Sequence, residues 1–139
     1  MNAVDTNVFA YVFDAGEPVK QAKAQELIDR LVLPPIDTVL LWQVAGELLS
    51  CLRRWEAEGR ITAADVDAHF RDVRAMFPLR LPTAQVLEMT FDLRARWSLS
   101  HWDSMLLAAC KDAGVLTLYS EDLASGTDYD GVLVVNPFA

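Results

Sequence analysis

Along this chain the apolar positions fall first into short continuous runs and then into stripes spaced three and four apart, and the alternation repeats to the end. Residues 2–5 form the first run, a buried strand closing on Asp5, and the apolar segment 8–13 beyond Thr6 and Asn7 opens a helix. Gly16 breaks it. Pro18 then starts a second helix, whose Ala24, Leu27, Ile28 and Leu31 share one face until Pro34 and Pro35 stop it. Residues 36–37 allow a brief second strand at most. A long helix follows over about 40–58, with Leu41, Val44, Leu48, Cys51, Leu52 and Trp55 as its buried stripe and Glu47 at the margin.

A turn at 58–60 leads to Thr62 and Asp65, spaced as a capping box, and to a helix reaching 76 with Val66, Phe70 and Val73 on its core face. His69 reads as a surface residue of that helix. Residues 77–81 supply a third short strand, which Pro78 assigns to a sheet edge. Thr83 caps a helix to 97. The densest signal is 100–122: Ser100 caps a helix with Asp103 in its first turn, an apolar face runs to Gly114, a short strand follows, and Ser120, Glu121 and Asp122 close it. The last strand is 132–136, after a loop marked by Gly126 and Gly131. Apolar strands separated by helices or helical hairpins indicate an α/β domain with a mostly parallel sheet of about five strands, covered on both faces.

Length then bounds the count at one domain, 1–139, because 139 residues bury one sizeable core and not two. A hydrophobic fraction of 53% argues against disorder. No basic leader precedes an apolar run, and the greasiest stretch, 39–52, is interrupted by Gln43 and Glu47, so a soluble cytoplasmic protein with no membrane association is expected. Cys51 and Cys110 fall on apolar helix faces and read as core thiols.

Charge complicates the picture. The net charge of −8 is unfavourable for a nucleic-acid binder. Arg53, Arg54, Arg60, Arg71 and Arg74 gather in one helical hairpin, where they make either a solvated face or a phosphate-binding patch.

The candidate chemistry lies in four acids. A helix leading into a parallel strand begins at the edge where that strand ends, so Asp103 and Asp122 return to one sheet edge. If the first and fourth strands are neighbours, Asp5 and Glu47 face the same crevice, outside the carboxyl ends of the strands. Each acid has a bland role available: a helix cap for Asp5 and Asp103, a salt-bridged or snorkelling side chain for Glu47, a polar turn for Asp122 and Glu121. Four carboxylates cannot all stay ionised in one pocket without a counter-charge. Mg²⁺ or Mn²⁺ would supply it, would bring the net charge to about −4 if two ions bind, and would activate water against a phosphodiester without any nucleophilic side chain. No Ser-His-Asp or Cys-His set competes with this reading. A phosphorelay receiver would need a lysine near the sheet's end, and none follows Lys111; a haloacid-dehalogenase-like phosphatase would need a second Asp where Asn7 stands.

These residues carry a resemblance. Asp5-Thr6-Asn7 after a first strand, Glu47 early in the following long helix, Ser100-His101-Trp102-Asp103, Ser120-Glu121-Asp122 and the ending Asn136-Pro137-Phe138 together resemble the PIN-domain ribonucleases, and within them the VapC-type toxins of toxin–antitoxin modules. The resemblance runs from residue 2 to 138 and implies a three-layer α/β fold. It also implies a metal-dependent endoribonuclease with Asp5, Glu47, Asp103 and Asp122 as acids and metal ligands, Thr6, Asn7, Ser120 and Glu121 supporting them from behind, and Glu121 an alternative to Asp122. Mg²⁺ or Mn²⁺ is the implied cofactor; RNA, a cognate antitoxin and a second copy of the chain are the implied partners. A PIN-like scaffold that binds RNA or protein without cleavage is the alternative.

Overall fold

A computed structural model describes residues 1–139, and its elements follow from the pattern above with a few shifts of boundary. They are β1 (Asn2–Val4), α1 (Thr6–Val12), α2 (Pro18–Leu31), β2 (Thr38–Leu41), α3 (Trp42–Ala57), α4 (Ala63–Met76), β3 (Leu79–Arg80), α5 (Gln85–Trp97), α6 (His101–Ala113), β4 (Thr117–Tyr119), β5 (Asp128–Tyr129) and β6 (Val132–Val135). One six-stranded sheet runs in the order β3-β2-β1-β4-β6-β5, parallel throughout except for the β5–β6 hairpin. The mostly parallel α/β sheet read from the sequence is therefore present, with one strand more.

Strand order decides which face each helix covers. The crossovers from β1 to β2 and from β2 to β3 step one way, while β3 to β4 steps back across the sheet. Right-handed connections then put α1 to α4 on one face and α5 with α6 on the other. The packing agrees: α1 lies against α2 and α3, α3 against α4, and α5 against α6. A single apolar core of 32 buried residues fills both layers, from Ala3 and Val4 through Leu48, Leu52 and Leu107 to Leu118 and Val134. No helix is long and apolar enough to cross a membrane.

Local chemistry explains the helix ends. Thr62 and Asp65 form both hydrogen bonds of a capping box. Ser100 accepts from the Asp103 N–H, and Gly114 closes α6 in the left-handed conformation, φ 78°, where a side chain would be strained.

Four expectations shift. The second strand is 38–41 and not 36–37, because Leu40 and Leu41 continue the spacing of Val44 and Leu48 and read as helix; Leu41 also ends the strand without any side-chain cap to mark the boundary. Thr83 does not cap α5: its hydroxyl donates to Asp112 Oδ1 at 2.6 Å, and the helix begins at Gln85 without a side-chain cap. His69 is half-buried, its ring stacked on Phe13 at 4.2 Å between centroids. The two-residue strand β5, inside the 126–131 loop, is too short to carry a period.

Leu118, at the centre of β4, is 0% exposed, whereas Leu116, which precedes the strand, is 62% exposed. Leu118→Ala is expected to cost about 2–5 kcal/mol in urea unfolding, and Leu116→Ala less than about 0.5 kcal/mol. Equal losses would mean that Leu118 is not packed in the core.

Candidate active site

The pairing of β1 with β4 sets Val4 opposite Tyr119, so the next residues on each strand, Asp5 and Ser120, meet at the carboxyl edge. Backbone hydrogen bonds fix both: the Asp5 N–H donates to Tyr119 O at 2.9 Å and the Ser120 N–H to Val135 O at 3.0 Å. Ser120 Oγ then donates to Asp5 Oδ2 at 2.7 Å while accepting from the Asp122 N–H at 3.1 Å. The other Asp5 oxygen accepts from the Thr6 N–H at 2.7 Å, which makes Asp5 the cap of α1 as well as a site residue. One side chain thus holds a strand end, a helix start and the β4 exit loop.

Asp5 is only 6% exposed. Burial pushes its carboxyl up to about 6; the hydrogen bonds from Ser120 and Thr6 oppose the shift, and the charges of Asp122 and Glu47 add to it. Those two acids reach Asp5 from different elements. Glu47, on the exposed side of α3, accepts from Thr6 Oγ1 at 2.9 Å and from Gln43 Nε2 at 3.0 Å. Gln43 also donates to the carbonyl of Trp102 at 3.2 Å, tying the start of α3 to the start of α6.

Asp103 stands in the first turn of α6, one residue beyond that carbonyl, and its carboxylate makes no hydrogen bond or ion pair. The structure brings Asp5, Glu47 and Asp122 within one field and sets Asp103 at the same edge without direct contact to them. Glu121 turns away from the others: Tyr11 donates to it at 2.6 Å and Lys20 at 2.9 Å. Burial works against its charge, but these two hydrogen bonds hold its carboxyl below the usual range. Of the remaining neighbours, Thr6 and Ser120 each hold a carboxylate, whereas the Asn7 amide is buried without a hydrogen-bond partner.

Gln43, Tyr11 and Lys20 were missed by sequence reasoning. Gln43 lies four residues before Glu47 on one helix face, a spacing that could have flagged it. Nothing local links Tyr11 and Lys20 to Glu121, 110 and 101 positions away.

No three His, Cys, Asp or Glu side chains are grouped closely enough to hold a metal ion as they stand. The donor set nevertheless fits a hard divalent cation in kind. It consists of oxygen ligands, none of the four acids is paired with Lys or Arg, and burial holds the carboxyl of the most buried one above its usual range. Both cysteines are free, and burial pushes each thiol up, away from the reactive thiolate.

No protein-family model matches the sequence, and no curated protein does. Solved structures do match. A toxin–antitoxin complex from Klebsiella pneumoniae superposes over 99% of this chain and 98% of that one at 18% identity, TM-score 0.68. VapC20 of Mycobacterium tuberculosis, a sarcin–ricin loop cleaving toxin, covers 88% and 90% at 21% identity, TM-score 0.66. The chain has the VapC fold. VapBC2 of Rickettsia felis, solved on a DNA fragment from its promoter, agrees over 96% of each chain at 9% identity, TM-score 0.69. Across such distances the VapC fold is kept while most side chains differ, so the acids have to be judged on their own geometry.

That geometry has a pH signature. A carboxyl raised from 3.8 to about 6 binds its proton more tightly folded than unfolded, so stability is lost as pH rises through that window, by about 3 kcal/mol in all. In metal-free buffer Asp5→Asn is expected to be about 1–3 kcal/mol more stable than the parent at pH 7.5 and no more stable at pH 4. Urea unfolding at the two pH values checks this; a variant less stable at pH 7.5 would mean that the Asp5 charge is already compensated.

Proposed function

We propose that this protein is a divalent-metal-dependent endoribonuclease, the toxin of a toxin–antitoxin module. The observation that carries the reading is Asp5, buried and uncompensated, with Glu47 and Asp122 acting on it. The fold shared with VapC20 supports the same conclusion.

Asp5, Glu47, Asp103 and Asp122 would hold Mg²⁺ or Mn²⁺. Bound there, the ion supplies activation of water at neutral pH and stabilisation of charge on the leaving oxygen of a phosphodiester. The chain's own part is positioning. Ser120 and Thr6 fix both oxygens of Asp5, Thr6 and Gln43 fix those of Glu47, and Ser120 pins the backbone that carries Asp122. Glu121, already neutralised by Lys20, holds the loop, which leaves Asp122 as the fourth ligand.

RNA is the substrate, with an antitoxin as the silencing partner; the Klebsiella structure is itself a toxin–antitoxin complex. A second copy of the chain would pack on α5, whose Leu87 and Phe91 stand exposed one turn apart. The protein acts in the cytoplasm.

Asp5→Asn and Asp103→Asn are each expected to remove Mn²⁺-dependent cleavage of RNA, and Ser120→Ala to lower it about 10–100-fold. Product analysis on denaturing gels is the check. Undiminished cleavage by either Asn variant would sink the mechanism, and a folded parent that binds RNA but never cuts it would favour a non-catalytic scaffold.

A further inference from the structure

Beside the carboxylates, a groove of about 490 Å³ runs between the exposed faces of α3 and α6, over the loop after β3. Trp42 and Trp102 line it, 56% and 61% exposed, with Leu81 and Arg80 beyond them. Gly46 faces the same space one turn after Trp42. Glycine is disfavoured in a helix interior, and a Cβ there would meet nothing within 4 Å, so the packing of this chain does not require it. Its effect is to lower the α3 wall of the groove.

We propose that this groove is a subsite for the unpaired bases of single-stranded RNA, with Trp42 and Trp102 as stacking platforms and Arg80 as the contact for a phosphate. The inference rests on the ribonuclease reading and adds the form of RNA that the site takes. Continuity is the first support. Glu47 belongs to both the groove and the acid crevice, and Gln43 joins it to the Trp102 backbone, so a base held here places its own phosphate beside Glu47.

Charge is the second support. A chain of net charge −8 gains little from phosphate contacts, so affinity for RNA has to come from the bases. Indole faces supply it without regard to sequence. The Arg80 guanidinium makes no ion pair or hydrogen bond within the chain and remains free for a phosphate, whereas Asp112, also lining the groove, is occupied by Thr83. Bases inside a duplex present no free face, so the groove selects loops and single strands.

The test is steady-state cleavage of a single-stranded oligoribonucleotide and of the same strand in a perfect duplex. Trp42→Ala and Trp102→Ala should each raise KM for the single strand about tenfold, and Trp→Phe at either position should recover most of it. Gly46→Leu should raise KM in the same way by filling the slot. Gly46→Ala should melt at or above the parent temperature, so a loss of binding there is not a loss of fold. Binding should weaken only slightly as salt rises, because few phosphates are contacted. Unchanged KM in the folded Trp→Ala variants would overturn the subsite. So would sedimentation in which Trp102→Ala or Gly46→Leu converts a dimer to a monomer at unchanged KM, which would assign the groove to a second copy. A parent that binds the single strand through Trp42 and Trp102 yet cleaves nothing supports the subsite and sinks the nuclease reading alone.

Discussion

A carboxylate buried at the meeting of a strand and a helix is costly, and the placement of Asp5 organises everything around it. Ser120 and the Thr6 N–H satisfy its oxygens, yet neither brings a positive charge. Burial raises its carboxyl to about 6, and the charges of Asp122 and Glu47 add to the shift. A purely structural cap would be served as well by Ser or Asn, which carry no charge to desolvate. The cost of Asp at this point makes sense when something outside the chain neutralises it.

The sheet makes this possible by geometry alone. Parallel strands with right-handed crossovers bring the starts of α1, α3 and α6 to the carboxyl edge. Asp5 opens α1, Glu47 lies in the second turn of α3, Asp103 lies in the first turn of α6, and Asp122 leaves β4. For Asp5, Glu47 and Asp122, distance along the chain becomes proximity because β1 lies between β2 and β4. The same edge carries the indoles of Trp42 and Trp102 at the starts of α3 and α6, which extends a small acidic crevice into an apolar groove.

Much of this was legible in the residues. Pro18, the Thr62–Asp65 box, the Ser100 cap and Gly114 mark helix ends through chemistry that acts within a few residues, and the structure places those ends there. The neighbouring of the first and fourth strands, on which the convergence of acids depended, is also present. What could not be read was set by contacts far apart in sequence. Leu40 and Leu41 have helical spacing but are held in the sheet by pairing with Leu79 and Arg80. Thr83 has the type of a cap and is drawn off by Asp112, 29 residues on. The engagement of Glu121 by Tyr11 and Lys20 has no local signature, so two adjacent acids with opposite surroundings look alike in sequence.

The charge deficit at Asp5 is tested most directly by adding the missing charge. Thermal melting of the wild-type protein at pH 7 with increasing Mn²⁺ should show a rise in Tm that grows with concentration as the folded state gains a ligand, and Asp5→Asn should show little of it. A wild-type Tm that stays level or falls through millimolar Mn²⁺ would contradict the account, since the acids would then meet with nothing to hold.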